Sequence, residues 1–163
     1  APIKILNCNA GFKGRKGTLY EGGIRVPFIV NQPGMVPIQT LDNLIYFPDM
    51  MPTLAALAKG TKHLPKQING INILPLFYGK QVDTDNRLLY WEFPGKQRAA
   101  RKGDWKCVTI HPNQPLELYN LKEDPEETNN LAKKYPRRVK EFDEEMQRMH
   151  IPTPNWPQPG EQF

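Results

Sequence analysis

Between Gly11 and Val30 the sequence GFKGRKGTLYEGGIRVPFIV sets glycines at 11, 14 and 17, and the cations Lys13, Arg15, Lys16 and Arg25, around a single acid, Glu21. Glycines let a backbone come close to a ligand, and the cations surround that ligand with positive charge. The chemistry suits an oxyanion: sulfate, phosphate, a carboxylate or a nucleic-acid backbone. Two nucleotide-binding forms fail on spacing. A Walker loop needs Ser or Thr directly after its Lys, whereas Gly17 follows Lys16; a dinucleotide loop needs Gly-x-Gly-x-x-Gly, which 11, 14 and 17 do not supply.

Other candidates are thinner. The chain contains no serine, which excludes a serine nucleophile. His63, His111 and His150 stand far apart and read as surface or capping residues, His150 at the end of a helix where a cation is favoured. Asp83 and Asp85 lack the Gly and Glu of a calcium loop and read as turn residues. Cys8 and Cys107 are even in number but distant in sequence, so pairing stays open, with buried free thiols as the plain reading. The stretch KQRAARKGDWK interleaves cations with Trp105 and follows Tyr90 and Trp91, a pattern able to stack bases. Cations alternating along a strand are more simply its solvated face, with the aromatics turned to the core.

These residues need a scaffold. At 163 residues with a 39% hydrophobic share, the chain is long enough for one domain with a core. Seventeen prolines argue against a helical bundle. The net charge of +5 comes from an excess of cations in 4–25 and 96–106, and the tail beyond carries no positive excess. No apolar run approaches the roughly 20 residues that span a bilayer.

IRVPFIV at 24–30 predicts a short strand. FPDMMPTLAALA predicts a helix over 49–59 with Asp49 as N-cap and Leu54, Leu57 and Ala58 toward the core. HLPKQINGINILPLFYGK predicts a connecting loop with one helical turn. From 87 on, RLLYWEF, QRAAR, DWKCVTI and LELYNL predict four strands of a small antiparallel sheet, with Lys-Gly-Asp as a hairpin turn. Asp124-Pro125-Glu126-Glu127 predicts a helix start. From Pro136 a helix carries Val139, Phe142, Met146 and Met149 on one stripe, fit to cover the sheet. Residues 151–163 are expected extended. The fold class is therefore α+β.

Taken together, GRKGTLYEGGIRVPFIV, FPDMMPTLAALA, INGINILPLFYGK, RAARKGDWK and LELYNLKEDPEETNNLA resemble, in order and spacing, the C-terminal part of an arylsulfatase-type sulfatase over roughly residues 7–135. The resemblance implies an alkaline-phosphatase-like parent, with 1–80 the end of its large domain, 81–150 a C-terminal sheet-and-helix subdomain and 151–163 a tail. It implies that Lys16, four residues before Tyr-Glu-Gly-Gly, binds the sulfate group, where a fixed ammonium offsets charge developing during S–O cleavage. Gly14, Gly17, Tyr20, Glu21, Gly22, Gly23 and Arg25 are then structural residues of the loop, and Lys96, Gln97, Arg98 and Arg101 candidates for contacting an anionic sugar or aryl ester. The turn at Pro94 departs from the family's usual polar, often His-bearing one, which weakens any transfer of substrate specificity.

The same resemblance implies calcium and a formylglycine in the parent. Neither cysteine lies in a Cys/Ser-x-Pro-x-Arg motif, no Asp-Asp pair occurs, and no Asp-Asn pair precedes the Gly-rich loop. The chain is thus expected to be the C-terminal portion of a longer sulfatase, inactive alone, whose partner is the N-terminal catalytic portion and whose substrate is a sulfate ester. No metal site, nucleic acid or membrane is expected for this chain itself. Periplasmic or extracellular location follows from the family only. The alternatives are a fragment of a related phosphodiesterase or phosphonate hydrolase, and a non-catalytic module binding sulfated polysaccharide through the two basic stretches.

Overall fold

The structure, a computed structural model, describes residues 9–94, 97–111, 113–155, 157, 161 and 162. It comprises two compact units: one joins residues up to Val26 to those from Leu88 on, and the other is Pro27–Arg87. The first unit follows space rather than chain order, because the Gly-rich loop lies on the sheet formed later in the chain.

That sheet has four antiparallel strands in the order β1-β2-β3-β4: Leu88–Phe93, Gln97–Lys102, Trp105–Thr109 and Glu117–Asn120. The expected hairpin at Lys102-Gly103-Asp104 sets the register Lys102 to Trp105 and Ala100 to Cys107. Alternation along the strands gives the sheet two faces. Ala99, Val108 and Tyr119 pack with Leu19 and Tyr20 of the loop. Ala100, Cys107 and Leu118 pack with Phe142 and Met146 of the long helix. Both faces of β2 and β3 are covered, and the expected solvated row of cations does not form: Lys106 is completely buried, Arg98 and Arg101 are partly buried in ion pairs, and Lys102 beside the hairpin is exposed.

The helix runs Pro136–Met149, as its stripe predicts. Phe142 and Met146 are buried and Val139 partly so, whereas Met149 is exposed. Polar contacts fasten it as well. Arg98 Nη2 lies 3.4 Å from Asp143 Oδ1, and His150, just past the helix, sits 2.5 Å from Glu92 Oε1 and 2.6 Å from Glu161 Oε1. Burial disfavours a charged His150 ring, but hydrogen bonds and charge from Glu161 and Glu92 outweigh it and raise its pKa above 6.5. No helix starts at Asp124-Pro125; the segment is a turn tied by Thr128 and Asn129 N–H groups donating to the Asp124 carboxylate. Glu127 takes φ 56° and is fully buried. A helix there would swing its carboxylate away from Lys106, and the ion pair described below decides the matter. Among the described residues no helix is long and apolar enough to cross a membrane.

Four residues, Glu21–Ile24, form one helical turn, α1. The strand expected over 24–30 does not form. Val26 and Ile29 are 75% and 86% exposed. A β-branched run is stable as a strand only when its backbone is paired, and no described strand lies beside it.

In the Pro27–Arg87 unit, a 3-10 turn at Phe47–Asp49 leads into α2, Met50–Leu57. The helix is where expected but is turned differently. Pro52 and Thr53 are buried, while Leu54 and Leu57 are more than half exposed. Asp49 does not cap α2 through its side chain. Its fully buried carboxylate instead accepts from Tyr46 N at 2.9 Å and Ile71 N at 2.9 Å, and pairs with Arg87 Nη1 and Nη2 at 2.5 and 2.6 Å. Thr53 extends the anchor, donating to Asp49 O and accepting from Ile73 N. The connecting loop has its expected helical turn, α3, at Leu74–Phe77. In chain order the Pro136–Met149 helix is α4.

Asp49 thus organises its unit through one carboxylate. Asp49→Ala should destabilise the Pro27–Arg87 unit by about 3–5 kcal/mol, because Arg87 is left without its buried partner. Hydrogen exchange checks it directly: the Tyr46 and Ile71 amides should lose protection.

Candidate functional site

The Gly-rich loop is built on short-range backbone bonds. Phe12 N donates to Asn9 O, Thr18 N to Arg15 O, and Gly22 N to Lys13 O at 2.7 Å. Asn9 Nδ2 adds donations to Phe12 O and Gly14 O. Gly17 holds φ +91°, a conformation L side chains rarely adopt. Gly23 is required for a different reason: a Cβ there would come within 2.0 Å of Thr18 O. The turn α1 therefore folds directly against the loop.

Three attachments fix this loop to the sheet. Gln97 is the first. Its Oε1 accepts from Leu19 N at 3.2 Å and its Nε2 donates to Gly17 O at 2.9 Å. The second is a buried ion cluster. Lys106 Nζ donates to Glu21 Oε1 at 2.8 Å and lies 2.9 Å from Glu127 Oε1, an ion pair without hydrogen-bond alignment. Glu127 Oε2 accepts from Glu21 N at 2.6 Å. Arg101 Nη1, 3.7 Å from Glu21 Oε2, adds a second cation. Burial pushes the Glu127 carboxyl above its usual range, with the Lys106 ammonium pulling the other way.

The third attachment is Glu117. Its Oε2 accepts from Tyr119 at 2.6 Å and Tyr20 at 2.7 Å, and Lys13 Nζ lies 3.2 Å away. Lys13 also donates to Tyr119 Oη at 2.7 Å and sits 4.2 Å from the centroid of the Tyr20 ring. Burial works against the Glu117 carboxylate, but hydrogen bonds from Tyr119 and Tyr20 and the Lys13 charge outweigh it and hold its pKa below 4.5. Burial, with Glu117 as acceptor, raises both tyrosines.

The cations of the loop thus divide into two kinds. Lys13 is engaged with Glu117, and Arg25 lies 4.7 Å from the Phe12 ring centroid and 4.0 Å from Glu21. Arg15 and Lys16 are exposed, and their side chains have no partner among the described residues. Of the other candidates, Gln97 and Arg101 share the loop's face of the sheet but carry internal contacts, and Arg98 is on the α4 face with Asp143. Lys96 lies outside the described residues. The sequence reading missed Asn9, Glu117, Lys106 and Glu127. The Glu-x-Tyr of LELYNL, alternating onto one strand face, was the available signal for Glu117.

Among the described residues no three His, Cys, Asp or Glu side chains converge to hold a metal ion. Cys107 is a buried free thiol, pushed by burial up to about 12, and Cys8 lies outside the described residues.

Two outcomes test the attachments. Lys106→Met leaves Glu21 and Glu127 without their shared buried cation and should destabilise by about 3–5 kcal/mol, partly recovered on adding Glu127→Gln, as read from urea unfolding. Glu117 contributes stability above about pH 4.5, lost as pH falls through its depressed native pKa. Glu117→Gln should therefore cost about 1–3 kcal/mol at neutral pH, with the gap to the parent chain closing on acidification.

Comparison with known proteins places this arrangement. The family model for N-sulphoglucosamine sulphohydrolase, C-terminal, matches residues 12–151. A sulfatase of Formosa agariphila is 32% identical over 154 residues, covering 78% of this chain and 28% of the relative. A Bacteroides thetaiotaomicron structure, from work on the metabolism of multiple glycosaminoglycans, superposes with a TM-score of 0.73 at 28% identity, over 85% of this chain and 32% of that one. The crystal structure of Ps i-CgsB in complex with k-i-k-neocarrahexaose gives 0.75 at 25%, over 91% and 34%. The chain spans about a third or less of the length of these relatives. The sheet closed by one long helix is shared with sulfatases of alkaline-phosphatase-like fold. With the family match running from the Gly-rich loop to the end of α4, the chain belongs to the sulfatases and corresponds to their C-terminal region.

Proposed function

We propose that this chain is the C-terminal part of a sulfatase that hydrolyses sulfate esters of saccharides, and that it supplies Lys16 as a ligand of the sulfate group. One observation carries the reading. Lys16 is an exposed cation without a partner among the described residues, on a loop fastened to the sheet through Gln97, Lys106 and Glu117. The backbone that carries this ammonium is held in place before the ligand arrives, and the ammonium favours charge moving onto sulfuryl oxygens as the S–O bond breaks. Arg15 beside it adds positive potential at the same edge.

The saccharide part rests on the relatives: one structure concerns glycosaminoglycan metabolism and another holds a neocarrahexaose. Gln97 and Arg101 act in this reading on the loop and its Glu21 anchor rather than on substrate. The nucleophile and metal site come from the N-terminal portion of the parent, so the chain alone does not turn over sulfate esters. A periplasmic or extracellular location fits the same reading.

In a parent polypeptide carrying this chain, Lys16→Ala should lower kcat/KM for an aryl sulfate by about 100-fold, with Lys16→Arg recovering part of it and the thermal midpoint unchanged. Undiminished turnover in a folded Lys16→Ala enzyme would remove Lys16 from the sulfate site.

A further inference from the structure

We propose that the surface formed by Lys133, Lys134, Arg137 and Arg138 around Trp105 and Tyr135 binds an anionic saccharide chain. It rests on the saccharide-sulfatase reading above and adds to it a grip on polymer, on the α4 face of the sheet, opposite the face that carries the Gly-rich loop.

The argument starts from charge. The region beyond 106 carries ten acids and seven cations in sequence, but the folded chain separates its charges. Along α4, Asp143 pairs with Arg98, Glu144 with Lys140, and Glu145 with Arg148. Those acids are occupied away from the start of the helix. Lys133, Lys134, Arg137 and Arg138 have no acidic partner among the described residues. Three of them line a cleft of about 410 Å³ together with Tyr135, Pro136 and Glu141. Three cations against one carboxylate leave the cleft positive.

The aromatic rings set its geometry. Trp105 and Tyr135 meet edge to face with centroids 5.3 Å apart. The Arg138 guanidinium lies 4.2 Å from the Trp105 ring centroid, and Lys134 Nζ lies 5.4 Å from that of Tyr135. Stacking restricts the guanidinium and leaves its N–H fork for planar, two-pronged donation to sulfate or carboxylate. It also separates the two polyanion classes. Binding of single-stranded nucleic acid relies on open aromatic faces for the bases, and here a cation covers one face of each ring. A sulfated or uronic saccharide presents its anionic groups at the periphery and is held by charge-assisted hydrogen bonds.

The full chain carrying Lys134→Gln, Arg137→Gln and Arg138→Gln tests this, with heparin as the probe. Heparin should bind about tenfold more weakly than to the unmodified chain, and the slope of log K against log salt should fall by about two. Lys66→Gln, an exposed cation outside both surfaces, should leave the affinity unchanged, and desulfated heparin should bind the unmodified chain weakly. Because Arg138 packs on Trp105, the double variant Lys134→Gln/Arg137→Gln is measured alongside and should lose slope by about one. Heparin binding unaltered in the double variant and in a folded triple variant would overturn the surface. Single-stranded DNA of matched length binding as tightly as heparin, and lost in the same variants, would overturn the saccharide and favour nucleic acid. Failure here leaves the turnover result for Lys16 standing, and failure of Lys16 leaves this binding result standing, so the two readings fall separately.

Discussion

The Lys106 ammonium, buried between two carboxylates, is the constraint on which the rest of the first unit depends. Removing a charge from water is costly unless opposite charge and hydrogen bonds replace the solvent. Here the replacement for Lys106 of β3 comes from two other segments, Glu21 from the Gly-rich loop and Glu127 from the connection between β4 and α4. If one segment moves, the others hold uncompensated charge. The strain at Glu127 follows from this. A non-glycine residue at φ 56° is unfavourable by roughly 1–2 kcal/mol, and it is held there because that backbone delivers Oε2 to Glu21 N and Oε1 to the ammonium.

Strand alternation carries the same organisation across the sheet. On β2, Gln97, Ala99 and Arg101 face the loop, while Arg98 and Ala100 face α4. The alanines, completely buried, let both covers approach closely, and the longer side chains beside them supply polar attachments on both faces. A loop that must present a cation is thereby mounted on a rigid element instead of being left to its own glycines. Glycine supplies the conformations the loop needs, but only contacts outside the loop choose among them.

What could be read from sequence was whatever local pattern decides. The four strands and the stripe Val139, Phe142, Met146 are set by alternation and by a 3.6-residue period, and tertiary packing agrees with both. The run 24–30 has strand composition, but composition does not supply a pairing partner. Met50–Leu57 has helical residues with leucines on one side, yet the buried side is fixed by Asp49 and Thr53, which bind Arg87, Tyr46, Ile71 and Ile73. Lys106 was illegible for a related reason. A lysine between Trp105 and Cys107 reads as the exposed half of an alternation unless residues about 20 and 85 positions away are known to bring it two carboxylates.

The same distinction governs charge and function. A net charge of +5 gives no guide to ligand contacts, because Lys13, Arg87, Arg98, Arg101 and Lys106 neutralise acids within the chain. Among the cations left without an acidic partner are Arg15 and Lys16 on one side of the sheet and the group at the start of α4 on the other. The second group is locally unfavourable. Arg137 and Arg138 stand in the first turn of α4, where the helix dipole is positive and no acidic residue offsets it. Each like-charge contact of that kind weakens the helix by a few tenths of a kcal/mol or more, and packing of Phe142 and Met146 on the sheet must hold the helix against it. An anion seated among these cations would reverse the sign of that term, so binding there would stabilise α4 as well as retain the ligand.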